Sequence, residues 1–397
     1  MISVTEANNR IKDLLVPTGS EEISIYKATN RILAQDFCSD RNQPPFDTSA
    51  MDGYAIRTED ALPNNELEVI GTIPAGARIP ETAVGPGEAF RIYTGAPIPP
   101  GSNRVIIQED VKARGTSIKI NEAFESNPFI RPLGSDFRKG FCVKAHQTLK
   151  PSLISLLAAM NAGVIPVSKK PVVSIIPTGD ELVMPGKIEV PDNKIVASNI
   201  FGLQGMLENV GAEVRILPIA KDDYQSLSTS LNLALNSDLI VTVGGASVGD
   251  YDLVKDVAST HGFELSFYKI AMRPGKPLFA GNKGSTVLIG LPGNPVSALV
   301  CGYIFLIPAI QYMMGLTKLG MPRKKALLAN PLGRNGSREH FMRAIVEHTN
   351  GESTITVHER QDSSLLKTFF NSNALLIRPK SDQPREAGEM VEYIELI

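Results

Sequence analysis

The chain has 397 residues, room for two to four domains at roughly 100–200 residues each. Hydrophobic residues make up 43%, enough for real cores, and 40 basic against 42 acidic residues leave a net charge of −2. That balance excludes a nucleic-acid binder working by bulk electrostatic attraction, which needs a basic excess. The three cysteines (Cys38, Cys142, Cys301) are far apart and odd in number, which reads as neither a disulfide framework nor a zinc site and points to a reducing compartment. The five histidines form no metal-ligand spacing.

Taken in chain order, the polar, amphipathic N-terminus lacks the apolar centre of a signal peptide, so a cytoplasmic location is expected. Residues 1–35 read as a helix followed by a short helix or turn, anchored by Leu14, Leu15, Ile25 and Ile32. Over 42–137 short β-type runs (67–73, 89–93, 104–110, 117–120) alternate with Gly and Pro clusters, the pattern of an all-β module. Pro151 and Gly163 bracket an apolar helix in the positions that start and stop one.

From about residue 171 the pattern is α/β. Continuous apolar runs at 172–176, 213–218 and 239–243 suit strands buried on both faces, with helices expected at about 198–210, 223–235 and 252–260. This predicts a doubly wound parallel sheet, ending in a hairpin-like pair at 276–281 and 285–289 and a helix from Pro295. The uncharged stretch 296–315 approaches membrane-spanning length, but Pro308, Gln311 and the preceding Gly-Pro turn favour a buried helix, so no membrane partner is expected. Runs at 341–347, 354–357, 374–378 and 391–397 read as a small C-terminal barrel or sandwich.

Ligands of an open parallel sheet bind beyond the carboxyl ends of its strands. Three such ends carry unusual loops: 176–181, 243–252 and 289–297. They hold Glu181, then Gly244, Gly245, Ser247, Gly249 and Asp252, then Pro292, Asn294, Pro295 and Ser297. Each alone is explained as well by a tight strand-to-helix turn, but three on one edge suit a phosphate-bearing ligand. Their spacing fits neither a dinucleotide fingerprint nor a P-loop, which excludes NAD and a Walker-type ATP site. Lys269, Arg273 and Lys276 form a basic cluster between the second and third loops, suited to a polyanion or to an ordinary solvated surface. The carboxylates Asp52, Asp136, Glu181, Asp222 and Asp252 are candidates for holding Mg²⁺ beside phosphates, with a turn role the alternative for Asp52 and helix capping for Asp222 and Asp252.

These motifs together resemble the MoeA family, which includes the E domain of gephyrin and plant molybdenum-insertion proteins. The matching stretches are 44–55 (PPFDTSAMDGYA), 91–97 (RIYTGAP), 177–182 (PTGDEL), 244–249 (GGASVG), 272–277 (MRPGKP) and 290–297 (GLPGNPVS), and the likeness runs from about residue 3 to the end. The resemblance implies a multidomain α/β-plus-β protein. Its parts would be a discontinuous elongated linker domain (1–43 and 138–168), a β module (44–137), an α/β molybdopterin-binding domain (169–320) and a C-terminal β barrel (321–397). It also implies a homodimer whose cleft lies between the α/β domain of one subunit and the β module of the other, bringing Asp52 to the sheet edge.

The activity implied is that of a molybdopterin molybdenumtransferase: molybdenum insertion into adenylylated molybdopterin with release of AMP, the last step of molybdenum cofactor synthesis. Family functional positions fall on Asp52, Thr94, Asp136, Glu181, Asp222, Asp252, Lys269, Arg273, Lys276, Arg343 and Ser363, with Pro292, Pro295 and Ser297 lining the same region. Three departures stand out: Arg273 where some members carry Lys, Asp362-Ser-Ser364 for a usual Gly-Ser-Gly, and an extra residue in Gly336-Ser-Arg338. Molybdate, a tetrahedral dianion, would be met by Lys269, Arg273, Ser297, Arg343 and Ser363. Attack by water or by a molybdate oxygen both remain open. Partners implied are the small-molecule substrates, the molybdopterin adenylyltransferase and acceptor molybdoenzymes. Two rivals are the adenylyltransferase itself, which needs only the α/β domain, and a non-enzymatic scaffold, which needs no acidic and basic site set.

Overall fold

A computed structural model describes residues 1–186, 189–245 and 253–396. The first helix, Val4–Leu14, is capped by Ser3, whose side chain accepts from the Glu6 amide at 3.0 Å. It buries Val4, Ala7 and Ile11, a stripe at helical spacing. That stripe packs into the core of the α/β sheet, beside Ile307 and Ile310, instead of staying with the linker segments. The expected short helix or turn is a single 3₁₀ turn at Ile25–Lys27, but ahead of it Ser20–Ser24 forms a strand antiparallel to Val164–Ser168. The alternation Glu22, Ile23, Ser24, Ile25 carries a strand period too short to outweigh the helical reading around it.

The β module contains a six-stranded sheet in the order Arg104–Ile107, Gly53–Ile56, Glu88–Ile92, Glu66–Ile73, Ser117–Ile120, Val111–Arg114. Alternating side chains feed two cores: Ala55, Phe90, Ile92 and Val105 enter one, and Ile56, Ala89 and Ile106 the other. The chain enters and leaves the module through two short antiparallel strands, Phe37–Cys38 and Cys142–Val143. Cys38 and Cys142 stand directly opposite, with Cα atoms 4.1 Å apart, and are joined by a disulfide. The sequence reading of the cysteines is therefore corrected. A separation of 104 residues hid a pairing that only the insertion of the β module between two adjacent strands creates.

In the α/β unit the strand order is Glu213–Ile216, Val172–Pro177, Leu239–Val243, Thr286–Leu291, Phe279–Lys283, Glu264–Tyr268. The first four run parallel; 279–283 is antiparallel to 286–291, and 264–268 is antiparallel to 279–283. The expected parallel sheet thus carries a mixed edge, and its outer strand, 264–268, was not foreseen. Strands 239–243 and 286–291 are buried almost throughout, which is why they read as unbroken apolar runs. Helix Asn199–Asn209 and the 295–313 helix cover one face; helices Tyr224–Ala234 and Leu253–Thr260 cover the other. The 295–313 helix is long and apolar enough to cross a membrane, yet most of it is buried inside the fold.

The C-terminal strands close into a five-stranded barrel in the order Glu339–Thr349, Glu352–Val357, Arg323–Leu328, Met390–Glu395, Ala374–Arg378, the last pairing back onto the first. A short strand from the α/β unit, Met272–Arg273, is added parallel to Glu339–His340 and fastens the barrel beside the sheet edge.

The cysteine pairing makes a direct prediction. Under oxidising conditions, thiol titration of the unfolded, unreduced protein should count one free thiol, that of Cys301, which is buried in the native state. Three thiols without prior reduction would overturn the pairing.

Candidate active site

The carboxyl ends of strands 172–177, 239–243 and 286–291 open into a cavity of about 660 Å³. Its lining includes Thr178, Glu181, Gly244, Gly245, Pro292, Asn294, Pro295 and Ser364. Gly244 and Gly245 both hold positive φ, 103° and 66°. A side chain on Gly244 would strike the Thr178 carbonyl, and one on Gly245 would come within 2.5 Å of Val254. Backbone alone fits there, leaving room for a ligand to approach. Ser247, Gly249 and Asp252, expected in the same loop, lie outside the described residues.

At one side of this edge Asp180, Glu181 and Asp222 gather. The Asp222 amide donates to Asp180 Oδ1 at 3.3 Å. The Asp222 carboxyl is pushed up, chiefly by burial and further by the charges of Asp180 and Glu181, against the lowering effect of a hydrogen bond from the Asp180 backbone amide. Asp180 was not singled out in the sequence, although it precedes Glu181 in the same 177–182 motif. Among the described residues no group of three or more His, Cys, Asp or Glu side chains is disposed to hold a metal ion. Mg²⁺ asks for less than that: it is held by one or two carboxylates together with substrate phosphates and waters. Asp136 is exposed and remote from this group in the chain; its amide donates to the Gln43 carbonyl.

The basic residues Lys269, Arg273 and Lys276 are not among those lining the cavity, although Pro277 beside them is. Lys269, at φ 68°, lays its ammonium 4.5 Å from the centre of the Tyr268 ring, whose centre also lies 3.5 Å from Lys255 Nζ. Lys276 is half-buried and Arg273 exposed. Arg273 stands opposite His340 in the parallel pairing that attaches the barrel. His340, 6% exposed, was missed by the sequence reading because a lone histidine carries no pattern. Burial lowers its pKa to about 4, helped by the charges of Arg273, Arg343, Arg338 and Arg378. The ring is therefore neutral at neutral pH and tolerates four cations around it.

Arg343 is 1% exposed. Its guanidinium donates to the carbonyls of Asp362 at 2.9 Å and Arg360 at 3.3 Å. It thereby holds the loop that carries Ser363 and Ser364. Ser363 Oγ accepts from Asn294 Nδ2 at 3.0 Å, and the Ser363 carbonyl accepts from the Val296 amide at 3.0 Å. The barrel loop thus sits on the first turn after the Gly-Asn-Pro motif. Ser297, also expected here, is 4% exposed, inside the helix.

Asp52 and Thr94 form a separate pair on the β module. Asp52 Oδ1 accepts from both the amide and the hydroxyl of Thr94, each at 2.8 Å. These two bonds, the amide first, hold the Asp52 carboxyl below the usual range. Beside them Arg91 lies between the Tyr54 and Tyr93 rings, 4.9 Å from each centre, and donates to Gln108 Oε1 at 2.7 Å. Arg91 belongs to the 91–97 motif but was not picked out. Neither Asp52 nor Thr94 lines the sheet-end cavity of its own chain.

Comparison with known proteins decides what this arrangement belongs to. A family profile described as the MoeA N-terminal region (domain I and II) matches residues 2–161, a probable molybdopterin binding domain 174–312, and the MoeA C-terminal region (domain IV) 325–396. Molybdopterin molybdenumtransferase 2 of Mycobacterium tuberculosis is 33% identical over 410 residues, covering all of both chains. The chain belongs to the molybdopterin molybdenumtransferase (MoeA) family. The molybdopterin molybdenumtransferase of Haemophilus influenzae is 34% identical over 98% of each chain. The crystal structure of a molybdopterin biosynthesis MoeA protein from Pyrococcus horikoshii superposes with a TM-score of 0.83 at 29% identity, covering 100% of this chain and 99% of that one. Membership makes the chain an enzyme of molybdenum cofactor biosynthesis. Within the MoeA fold, the α/β unit and the closed barrel of this chain meet at the Ser363 loop.

The buried His340 makes a pH prediction. The unfolded chain binds a proton at the usual 6.5, the folded one only near 4. Stability from this group is therefore full above pH 6.5 and is lost as pH falls towards 4, by about 3 kcal/mol in all. Urea unfolding at neutral pH and at pH near 4.5 should show His340→Gln losing less stability on acidification than the wild type. Equal losses would contradict the assignment.

Proposed function

We propose that the chain inserts molybdenum into adenylylated molybdopterin with release of AMP, the last step of molybdenum cofactor synthesis. The observation that carries this reading is a glycine-lined cavity at one sheet edge, with Glu181 in its lining and Asp180 and Asp222 beside it, within a fold that matches the MoeA family end to end. In this reading the cavity behind Gly244 and Gly245 takes the pterin-bearing substrate, and Lys269, Arg273 and Lys276 meet its phosphates. Mg²⁺ would be held by Glu181 and Asp222 with Asp180 beside them. When bound it would neutralise charge developing on the leaving phosphate. Ser363 offers a hydroxyl to molybdate. Arg343, spent on main-chain carbonyls, lends positive charge from behind the loop it holds.

Asp52 and Thr94 complete the site from the other subunit of a homodimer. The support is that they form a finished hydrogen-bonded pair away from the cavity of their own chain. Asp136 and Asp252 remain proposed ligands of the same metal. The domain limits 1–43 with 138–168, 44–137, 169–320 and 321–397 belong to the same reading, with the first helix of the linker part packed on the α/β core. A cytoplasmic location and contacts with the adenylyltransferase and acceptor molybdoenzymes belong to the same reading.

Subunit mixing tests it. Asp52→Ala should leave folding intact and remove most metal insertion, since a turn aspartate costs little stability when replaced. Lys276→Ala should also be inactive, through lost phosphate affinity of about ten- to a hundredfold. Unfolding the two variants together and refolding them as mixed dimers should restore about a quarter of wild-type sites, because half the dimers would each carry one intact site. Activity restored in no mixture would sink the intersubunit site. Wild-type activity in Asp52→Ala alone would return Asp52 to a turn role.

A further inference from the structure

We propose that Gln361 is a positioning residue for metal insertion, one that sets Ser363 and Ser364 against the cavity by extending the barrel sheet with its side-chain amide. The inference rests on the reading of the reaction given above. Strand 339–349 pairs with 352–357 as far as Ala344 and Val357. One residue further, the His358 amide still donates to the Arg343 carbonyl at 3.1 Å. The chain then leaves the sheet, and Gln361 takes over the pairing. Its Oε1 accepts from the Arg343 amide at 3.0 Å, and its Nε2 donates to the Arg343 carbonyl at 3.0 Å and to the His358 carbonyl at 2.8 Å. One side-chain amide thus imitates a strand residue, satisfying both main-chain groups of Arg343.

From the other side the Arg343 guanidinium grips the carbonyls of Arg360 and Asp362, the two neighbours of Gln361. Arg343 and Gln361 therefore hold each other, main chain to side chain in both directions. The next three residues are fixed as a consequence. Asp362 Oδ1 accepts from the Ser364 amide at 2.8 Å and its hydroxyl at 2.7 Å, closing a tight turn. Ser363 meets Asn294 and Val296, and Ser364 lines the cavity. The amide is needed because the job requires an acceptor and a donor at once. Methionine supplies no donor and only a weak acceptor, and a glutamate carboxylate would set an oxygen against the carbonyls of Arg343 and His358. Protonated glutamic acid has both an acceptor and a donor.

The test uses full-length Gln361→Met and Gln361→Glu proteins. The readouts are molybdopterin titration, metal insertion at varied molybdate, and amide exchange across residues 359–366. Gln361→Met should raise the molybdate KM about tenfold or more, the scale of three lost hydrogen bonds, and should weaken molybdopterin binding by less. Exchange should quicken in 359–366 and not in the rest of the barrel. For Gln361→Glu, the ratio of its molybdate kcat/KM to that of wild type should rise as pH falls from about 8 towards about 5, since protonation restores the donor. A general loss of fold would not give that recovery. Unchanged molybdate KM in Gln361→Met, or a flat pH ratio in Gln361→Glu, overturns the inference. If the wild type itself shows no dependence on molybdate, the reaction reading fails and takes the substrate role of Gln361 with it; exchange in 359–366 then still decides whether Gln361 fixes the loop.

Discussion

A parallel strand buried on both faces can place polar chemistry only at its ends. Strands 172–177, 239–243 and 286–291 obey this constraint, and the arrangement of the protein results from it. Cavity and acidic group are both displaced to the carboxyl edge, because the sheet interior has no room for them. The barrel is then fastened to that edge by strand 272–273, and its 358–364 loop is delivered to the first turn of the 295–313 helix. The neutral ring of His340 lies in this join. A charged one would add to the four arginines already there.

The α/β unit was the most legible part of the sequence, for the same reason. Unbroken apolar runs and glycine-rich ends announce buried strands directly, so Gly244, Gly245, Pro292 and Asn294 could be placed at one edge from the amino-acid sequence alone. The antiparallel edge strand 264–268 was missed because its first two residues are exposed and the burial over five residues does not alternate. Strand 20–24 was lost beneath the stronger helical signal ahead of it. Packing of the first helix onto the α/β core could not be read at all. Its stripe says only that one side is buried, not against what.

Site residues divide similarly. Asp52 and Thr94 were found through a motif, but their mutual hydrogen bonds depend on the adjacency of strands 53–56 and 88–92. Arg91 and Asp180 stood inside recognisable motifs, and only geometry shows which neighbour each serves. Gln361 has no local signal, because its partners are main-chain groups that every residue possesses. Cys38 and Cys142 show the reverse case. Their chemistry was visible, but the pairing was concealed by the length of chain between them.

The two ends of the β module come together at neighbouring positions whose Cα atoms are 4.1 Å apart, a gap that any short hairpin could bridge. Among the described residues, the rest of the chain contributes no strand to the module's six-stranded sheet, and the module contributes none to the other six-stranded sheets. It behaves as a cassette. The host can complete its own strands without it, and a cassette of a different size could be seated on the same two strands without disturbing the sheet edge or the barrel.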